Sequence, residues 1–245
     1  MLARVAGAAS IVILLAVVEI LLRTGMLNVY VMPLPSAVLG SFGRLFMEEH
    51  LLRRFLLTFA EALAAGLLVA VVGVAVGAAL YRWKLLRAAI ETWVAAFAAA
   101  PLVLAYPLFM VIFGRSALTI IMLGFLAGIA PVILKTVEGL AGVRPTLLNV
   151  GRAFKLNGRA LFWKVQFPAA VPTIFVGIRL SLIFSLINVV GLEFLINFGG
   201  LGQLINELAE QYDLPGTFAA ICFVVIVSVV FFVAVERLER WLRPT

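Results

Sequence analysis

Cysteine and histidine are almost missing from this chain of 245 residues, represented by Cys222 and His50 alone. One cysteine in an apolar run excludes a disulfide framework and a cysteine-ligated metal. One histidine cannot supply the usual zinc or iron ligand sets, so no metal site is expected. Charge is scarce as well. Charged residues make up 13% of the chain and hydrophobic ones 64%, where a soluble domain carries about 25% and about 45–50%. That balance excludes an ordinary cytosolic enzyme and a disordered chain, and it demands hydrocarbon as solvent. A Gly-x-x-x-x-Gly-Lys-Ser/Thr phosphate loop is absent, so the chain cannot hold ATP in that way. Internal repeats, a heptad seam and low-complexity tracts are absent too.

The chain consists instead of long apolar runs. A helix needs about 20 apolar residues to cross the hydrocarbon core. By that measure the sequence predicts an all-α, polytopic membrane protein forming one transmembrane domain over residues 1–245. Six transmembrane helices are expected, at about 6–22, 55–81, 88–113, 116–134, 172–196 and 217–235. Pro101 and Pro107 break the third. Glu61 and Glu91 fall toward the ends of their spans, where a charge reaches water cheaply. After the first run come Arg23, Thr24, Gly25 and Met26, with no small-x-small site, so a retained span is expected rather than a cleaved signal.

The net charge of +7 first suggests nucleic acid, but the positions of the bases argue for topology. With the N-terminus in the cytoplasm, Arg4, Arg82, Lys84, Arg87, Lys135, Arg144, Arg152, Lys155, Arg159, Lys164, Arg237, Arg240 and Arg243 are all inside. Only Arg23, Arg44, Arg53, Arg54 and Arg115 are outside, and Arg179 lies within a span. The outer segment 197–216 carries Glu207, Glu210 and Asp213 with no base. Both termini are therefore expected in the cytoplasm, and no nucleic-acid partner is.

The inner loop 135–171, between spans four and five, is long for a connection. It places Leu147, Leu148, Gly151, Phe154, Leu161, Phe162 and Val165 at helical spacing among bases, with a turn signal at Asn157 and Gly158. Pro168 and Pro172 flank the start of the next span. Such a piece either lies on lipid head groups or docks in a groove of a cytoplasmic partner, and composition leaves both open.

The residues themselves favour the second reading. The run from Leu147 through Lys155, continued by Leu161 to Pro172, resembles the coupling-loop signature of permease subunits of type I ABC importers, in the nitrate/sulfonate/taurine branch. Met32-Pro33-Leu34-Pro35-Ser36 resembles the branch's outer Leu-Pro-Ser-Pro segment. Gly177-Ile178-Arg179-Leu180 resembles its Gly-Leu-Arg-Leu, and Glu193 with Gly200-Leu201-Gly202 its Glu…Gly-Leu-Gly. Together these stretches cover about residues 30–245. The signature is altered at two points. Counting back from Pro168, Asn149 stands at the family's Glu and Lys155 at its Gly, while Val150 and Gly151 stand at its two Ala. A shifted turn at Gly158 is expected to replace the lost glycine.

The resemblance implies a bacterial inner-membrane importer subunit that is not itself an enzyme. ATP and magnesium would be bound by separate ATPase subunits. A second permease copy would complete the pathway, either an identical chain or a sister whose loop is intact; the unbroken apolar face favours the identical chain. An extracytoplasmic binding protein would deliver the substrate, with the outer loop 23–54 and the acidic segment 197–216 as docking surfaces. Coupling is assigned to Asn149, Gly151, Arg152, Phe154, Lys155, Gly158, Leu161 and Phe162. Pathway candidates are Tyr106, Phe109, Ser181, Ser185, Asn188 and Glu193; Ser181, Ser185 and Asn188 share one helical face. Pro168, Pro172, Arg179, Gly200 and Gly202 are read as structural. Sparse positive charge along the pathway suits a small organic molecule, an aromatic heterocycle such as a pyrimidine precursor or riboflavin, or a sulfonate or taurine, better than nitrate. The alternative, an ATP-independent secondary transporter, lacks the expected repeats and intramembrane acids.

Overall fold

The computed structural model describes residues 2–242, except the side chains of residues 2–6, 8, 238, 241 and 242. Among the described residues there is no strand. The helices are α1 (Leu2–Arg23), α2 (Pro35–Met47), α3 (Leu51–Arg82), α4 (Lys84–Ala98), α5 (Tyr106–Phe113), α6 (Ala117–Ala141), α7 (Pro145–Ala153), α8 (Gly158–Leu161), α9 (Phe167–Ile196), α10 (Gly200–Glu210) and α11 (Leu214–Leu242). Among the described residues, four helical stretches, within α3, α6, α8–α9 and α11, are long and apolar enough to cross a membrane. A fifth arises if α4 and residues Leu102–Phe113 form one broken span, bent by 90°. The helix α1 covers the first expected span.

The chain divides into two compact units. The first holds Met1–Leu57 and Glu193–Val227. Its core is Leu45, Leu51, Leu201, Leu204 and Leu208 with Ala219 and Ala220, and the Phe55 and Phe223 rings meet edge to face at its rim. Two ion pairs flank this core. Arg44 meets Asp213, and Arg54 meets Glu207 at 2.6 Å. Asp213, by its hydrogen bond, holds the Arg44 guanidinium pKa above its ordinary value. The acidic segment expected to face a binding protein therefore spends two of its three carboxylates on bases from the same unit.

The second unit holds Thr58–Leu192 and Ser228–Thr245, and α3, α6 and α9 pack there through small residues. In lipid, apolar side chains gain nothing by leaving the hydrocarbon for one another, so close backbone approach must supply the contact energy. A Cβ at Gly73 would stand 2.9 Å from Val132, and one at Gly77 only 2.6 Å from Thr136. On α9, a Cβ at Gly177 would stand 2.7 Å from Lys135. Glu61 lies 2% exposed in α3 rather than near water as its position suggested, whereas Glu91 pairs with Arg87 at 2.7 Å.

Two proline positions differ from expectation. Pro172 lies inside α9 rather than marking the start of a span. Just before Pro168 the helix widens into a π turn, Phe162–Gln166. Proline has no N–H, and its ring presses on the carbonyl four residues earlier; a π turn widens the backbone at that place. The segment from Gly158 to Ile196 is consequently one helical path of 39 residues, and the expected second loop helix is α8 with the π turn, continuous with α9.

Replacing Gly77 with Leu is expected to lower stability in detergent by about 1–3 kcal/mol through overpacking. Gly43→Ala, where a Cβ meets nothing within 4 Å, is expected to raise it by up to about 1 kcal/mol. Thermal unfolding of the purified chains measures both.

Candidate functional site

The helix α7 is short, starts with Pro145 at its first turn and exposes one apolar stripe. Leu147 is 45% exposed, Val150 53% and Phe154 78%. These positions lie three and four apart, hence on one face. The opposite face is fixed: Gly151 is buried against Leu161, with Val165 3.3 Å and Leu156 3.6 Å from where its Cβ would be. Leu148 packs on the core of Leu140, Val143, Ala170 and Ile174. On the exposed side, Arg152 donates to the Asn149 side-chain oxygen at 3.0 Å, so the residue replacing the family's acid already serves as an acceptor.

The end of α7 explains the lost glycine. The Leu156 N–H donates to the Gly151 carbonyl at 3.2 Å and the Lys155 N–H to the Arg152 carbonyl at 2.8 Å. This pair of bonds is the Schellman termination, which needs a left-handed residue just past the helix and usually takes glycine there. Lys155 occupies it with φ 54°. Gly158 does not replace it, contrary to the expectation: it opens α8 with no positive φ and with open space around its Cβ position. Asn157, the residue before it, caps α8 by accepting the Ala160 N–H at 2.8 Å.

The coupling candidates split in two. Asn149, Arg152, Phe154 and Lys155 are exposed together around the stripe. Gly151, Leu161 and Phe162 are packing residues; Phe162 lies against Phe167 and, edge to face, 5.2 Å from Trp163.

The pathway candidates separate further. The break between α4 and α5 borders an open cleft of about 400 Å³, lined by Pro101, Leu102, Val103, Phe184, Ile187 and Asn188 among others. Its only polar side chain is Asn188, which donates to the Phe184 carbonyl at 2.9 Å. Pro131 cannot donate to the carbonyl of Ala127, which also lines the cleft. The break is a tight turn at Pro101 (φ −75°, ψ 76°), closed by the Leu102 N–H on the Ala100 carbonyl at 2.8 Å.

Ser181 and Ser185 do not line this cleft: both are buried where α9 meets Gly128, and Ser185 donates to the Gly124 carbonyl at 2.8 Å. Tyr106 and Phe109 do not line it either, and Phe109 packs on Phe113. Glu193 is fully buried, its carboxylate accepting the Gly202 N–H at 2.9 Å in the first turn of α10. Its oxygens fill the place a Cβ on Gly200 would take, and Gly200 has φ 69°. An anion at a helix N-terminus satisfies otherwise unpaired N–H groups, so Glu193 with Gly200 and Gly202 forms a fastening. Arg179 meets Glu239 of α11 at 3.1 Å and lies over the Phe232 ring. Sequence reading missed Glu239 as its partner, because the acid sits in a tail read only for its bases.

The fold and the family are shared with known proteins. The profile of the family described as binding-protein-dependent transport system inner membrane component matches residues 62–244. The chain is 26% identical to the putative aliphatic sulfonates transport permease SsuC of Bacillus subtilis, over 93% of this chain and 83% of that protein. It is 27% identical to the riboflavin transport system permease RibX of Chloroflexus aurantiacus, over 87% and 80%. Among solved structures, the MetNI methionine ABC transporter in an inward-facing conformation shares the fold, with a TM-score of 0.68 at 21% identity, covering 79% of this chain and 96% of that one.

Lys155→Gly is expected to stabilise the chain by about 1 kcal/mol, the cost of a non-glycine residue in the left-handed region. Lys155→Val, branched at Cβ, is expected to destabilise it. Thermal unfolding in one detergent compares the three chains.

Proposed function

The chain belongs to the family of binding-protein-dependent transport system inner membrane components, and from that premise we propose that it is one of two membrane-spanning halves of an ATP-driven importer. It is a multi-pass protein of the bacterial inner membrane. In this reading both termini face the cytoplasm, and separate ATPase subunits bind ATP and magnesium. A second copy completes the pathway, and an external binding protein loads it.

The observation that supports this reading is the exposed stripe Leu147, Val150 and Phe154, carried on a helix whose other face is locked. A stripe of that kind suits a partner's groove. The locked face lets a push on α7 pass to Leu161 and Val165, and so into the helical path that continues as α9. Closing of the ATPase pair on ATP draws the two α7 helices together, and the spans turn the pathway from inward-open to outward-open. Hydrolysis resets it. This is a two-state element biased by a nucleotide.

For the substrate, the cleft beside Pro101 favours a small, neutral, largely apolar molecule such as an aromatic heterocycle. Its walls are aliphatic and aromatic, with one amide and no charge. A sulfonate is the second reading, supported by the Bacillus subtilis relative.

Two outcomes test these readings. Phe154→Asp is expected to abolish copurification with the ATPase while leaving thermal stability near wild type, because the ring is 78% exposed. Unchanged copurification and uptake would overturn the docking assignment. Phe162→Asp should unfold the chain instead, since that ring is packed. Asn188→Leu is expected to cut uptake roughly 10-fold, the loss of one or two hydrogen bonds to substrate, with ATPase copurification intact. Radiolabelled uptake in reconstituted vesicles measures it.

A further inference from the structure

A second cleft, of about 620 Å³, opens between the end of α3 and the start of the long helix path. Its lining includes Tyr81, Arg82, Arg159, Phe162 and Trp163, and no acid. Arg82 and Arg159 are both exposed, and neither has a carboxylate partner among the described residues. The acids nearest in sequence are engaged: Glu91 by Arg87 and Glu138 by Lys135. The Tyr81 oxygen accepts from Gln166, which also donates to the Leu140 carbonyl at 3.2 Å. That leaves the tyrosine O–H with no acceptor of its own among the described residues. Two guanidinium groups and a phenol therefore border one concave space over an aromatic floor.

The surroundings are apolar as well as basic. Trp83 is 58% exposed, Leu85 88% and Trp163 57%. Exposed tryptophans beside bases mark the boundary between hydrocarbon and water. The proposed topology puts this end of α3 at the cytoplasmic boundary, and the inference rests on that reading. Arginine is suited to phosphate because its planar fork gives paired donors.

We propose that this cleft is a binding site for the phosphodiester headgroup of an anionic membrane lipid. The phosphate lies between Arg82 and Arg159 and accepts from Tyr81. The acyl chains leave past Trp163 and Leu85 into the bilayer. A lipid bound here touches both α3 and the segment that carries α7, so it braces the coupling element against the membrane.

The test titrates phosphatidylglycerol, phosphatidylcholine and inorganic phosphate into the purified full-length chain in neutral detergent, read by thermal shift. Phosphatidylglycerol is expected to bind at least about tenfold tighter than phosphatidylcholine, and phosphate to give no shift. Arg82→Gln and Arg159→Gln should each weaken phosphatidylglycerol binding roughly fivefold, the factor for about 1 kcal/mol per base at an anionic surface. Arg144→Gln, outside the cleft, should change nothing. Should one of the two variants fail to fold, the other decides. Equal affinity in the variants, or no preference for phosphatidylglycerol, would overturn the site. A shift with inorganic phosphate would assign the cleft to a soluble anion and overturn the lipid assignment. ATPase copurification forms no part of this readout, so the importer reading and the lipid site fail separately.

Discussion

A chain surrounded by hydrocarbon has no water to which a broken helix can turn its free N–H and C=O groups. Among the described residues, several helix ends are closed by specific partners. Glu19 of α1 reaches over to α2 and accepts from both the N–H and the hydroxyl of Ser36, at 3.0 and 2.7 Å. Glu193 accepts the Gly202 N–H in the first turn of α10 at 2.9 Å. Two short helices are thus capped by carboxylates carried on longer ones. At their C-terminal ends, α7 and α10 close by left-handed turns at Lys155 and Tyr212. A neutral cap would satisfy the same N–H groups, but a carboxylate adds attraction to the positive end of the helix dipole.

The proposed coupling element lies outside the hydrocarbon, yet its ends are closed by backbone bonds as well. Because Lys155 ends α7 with its carbonyls satisfied, the turn into α8 is held by defined bonds. Because a π turn absorbs Pro168, the path runs on into α9 without a joint. A lever of that kind transmits displacement better than a loose loop. The replacement of the family's glycine by Lys155 therefore leaves the geometry standing and changes its strain.

Much of this was legible in the chain. The apolar runs fell where α3, α6, α9 and α11 lie, since hydropathy is summed over neighbours and needs no partner. Pro101 marked the break, because a missing N–H is a local fact. The small residues Gly66, Gly73 and Gly77 along α3 are close helix contacts, as small residues in membrane helices are. Other signals misled. Gly158 looked like the turn residue, but the bond pattern that demands positive φ is centred on Lys155. Ser181, Ser185 and Asn188 share a helical face, yet only Asn188 borders the cleft beside Pro101, because α6 covers the two serines at Gly128. Glu193 looked like a candidate for the pathway and proved to be a buried cap.

Sequence alone determined the solvent of this protein, its helical class and the stretch proposed to couple it to a partner. Each of these follows from local composition or from the order of a few residues. Only the tertiary structure decided which polar groups meet: Arg179 with Glu239, Arg54 with Glu207, Glu193 with the α10 backbone. The physical reason is that an ion pair or a cap joins positions far apart in the chain. Its existence depends on the distance between two side chains after packing, a quantity that no run of neighbouring residues contains.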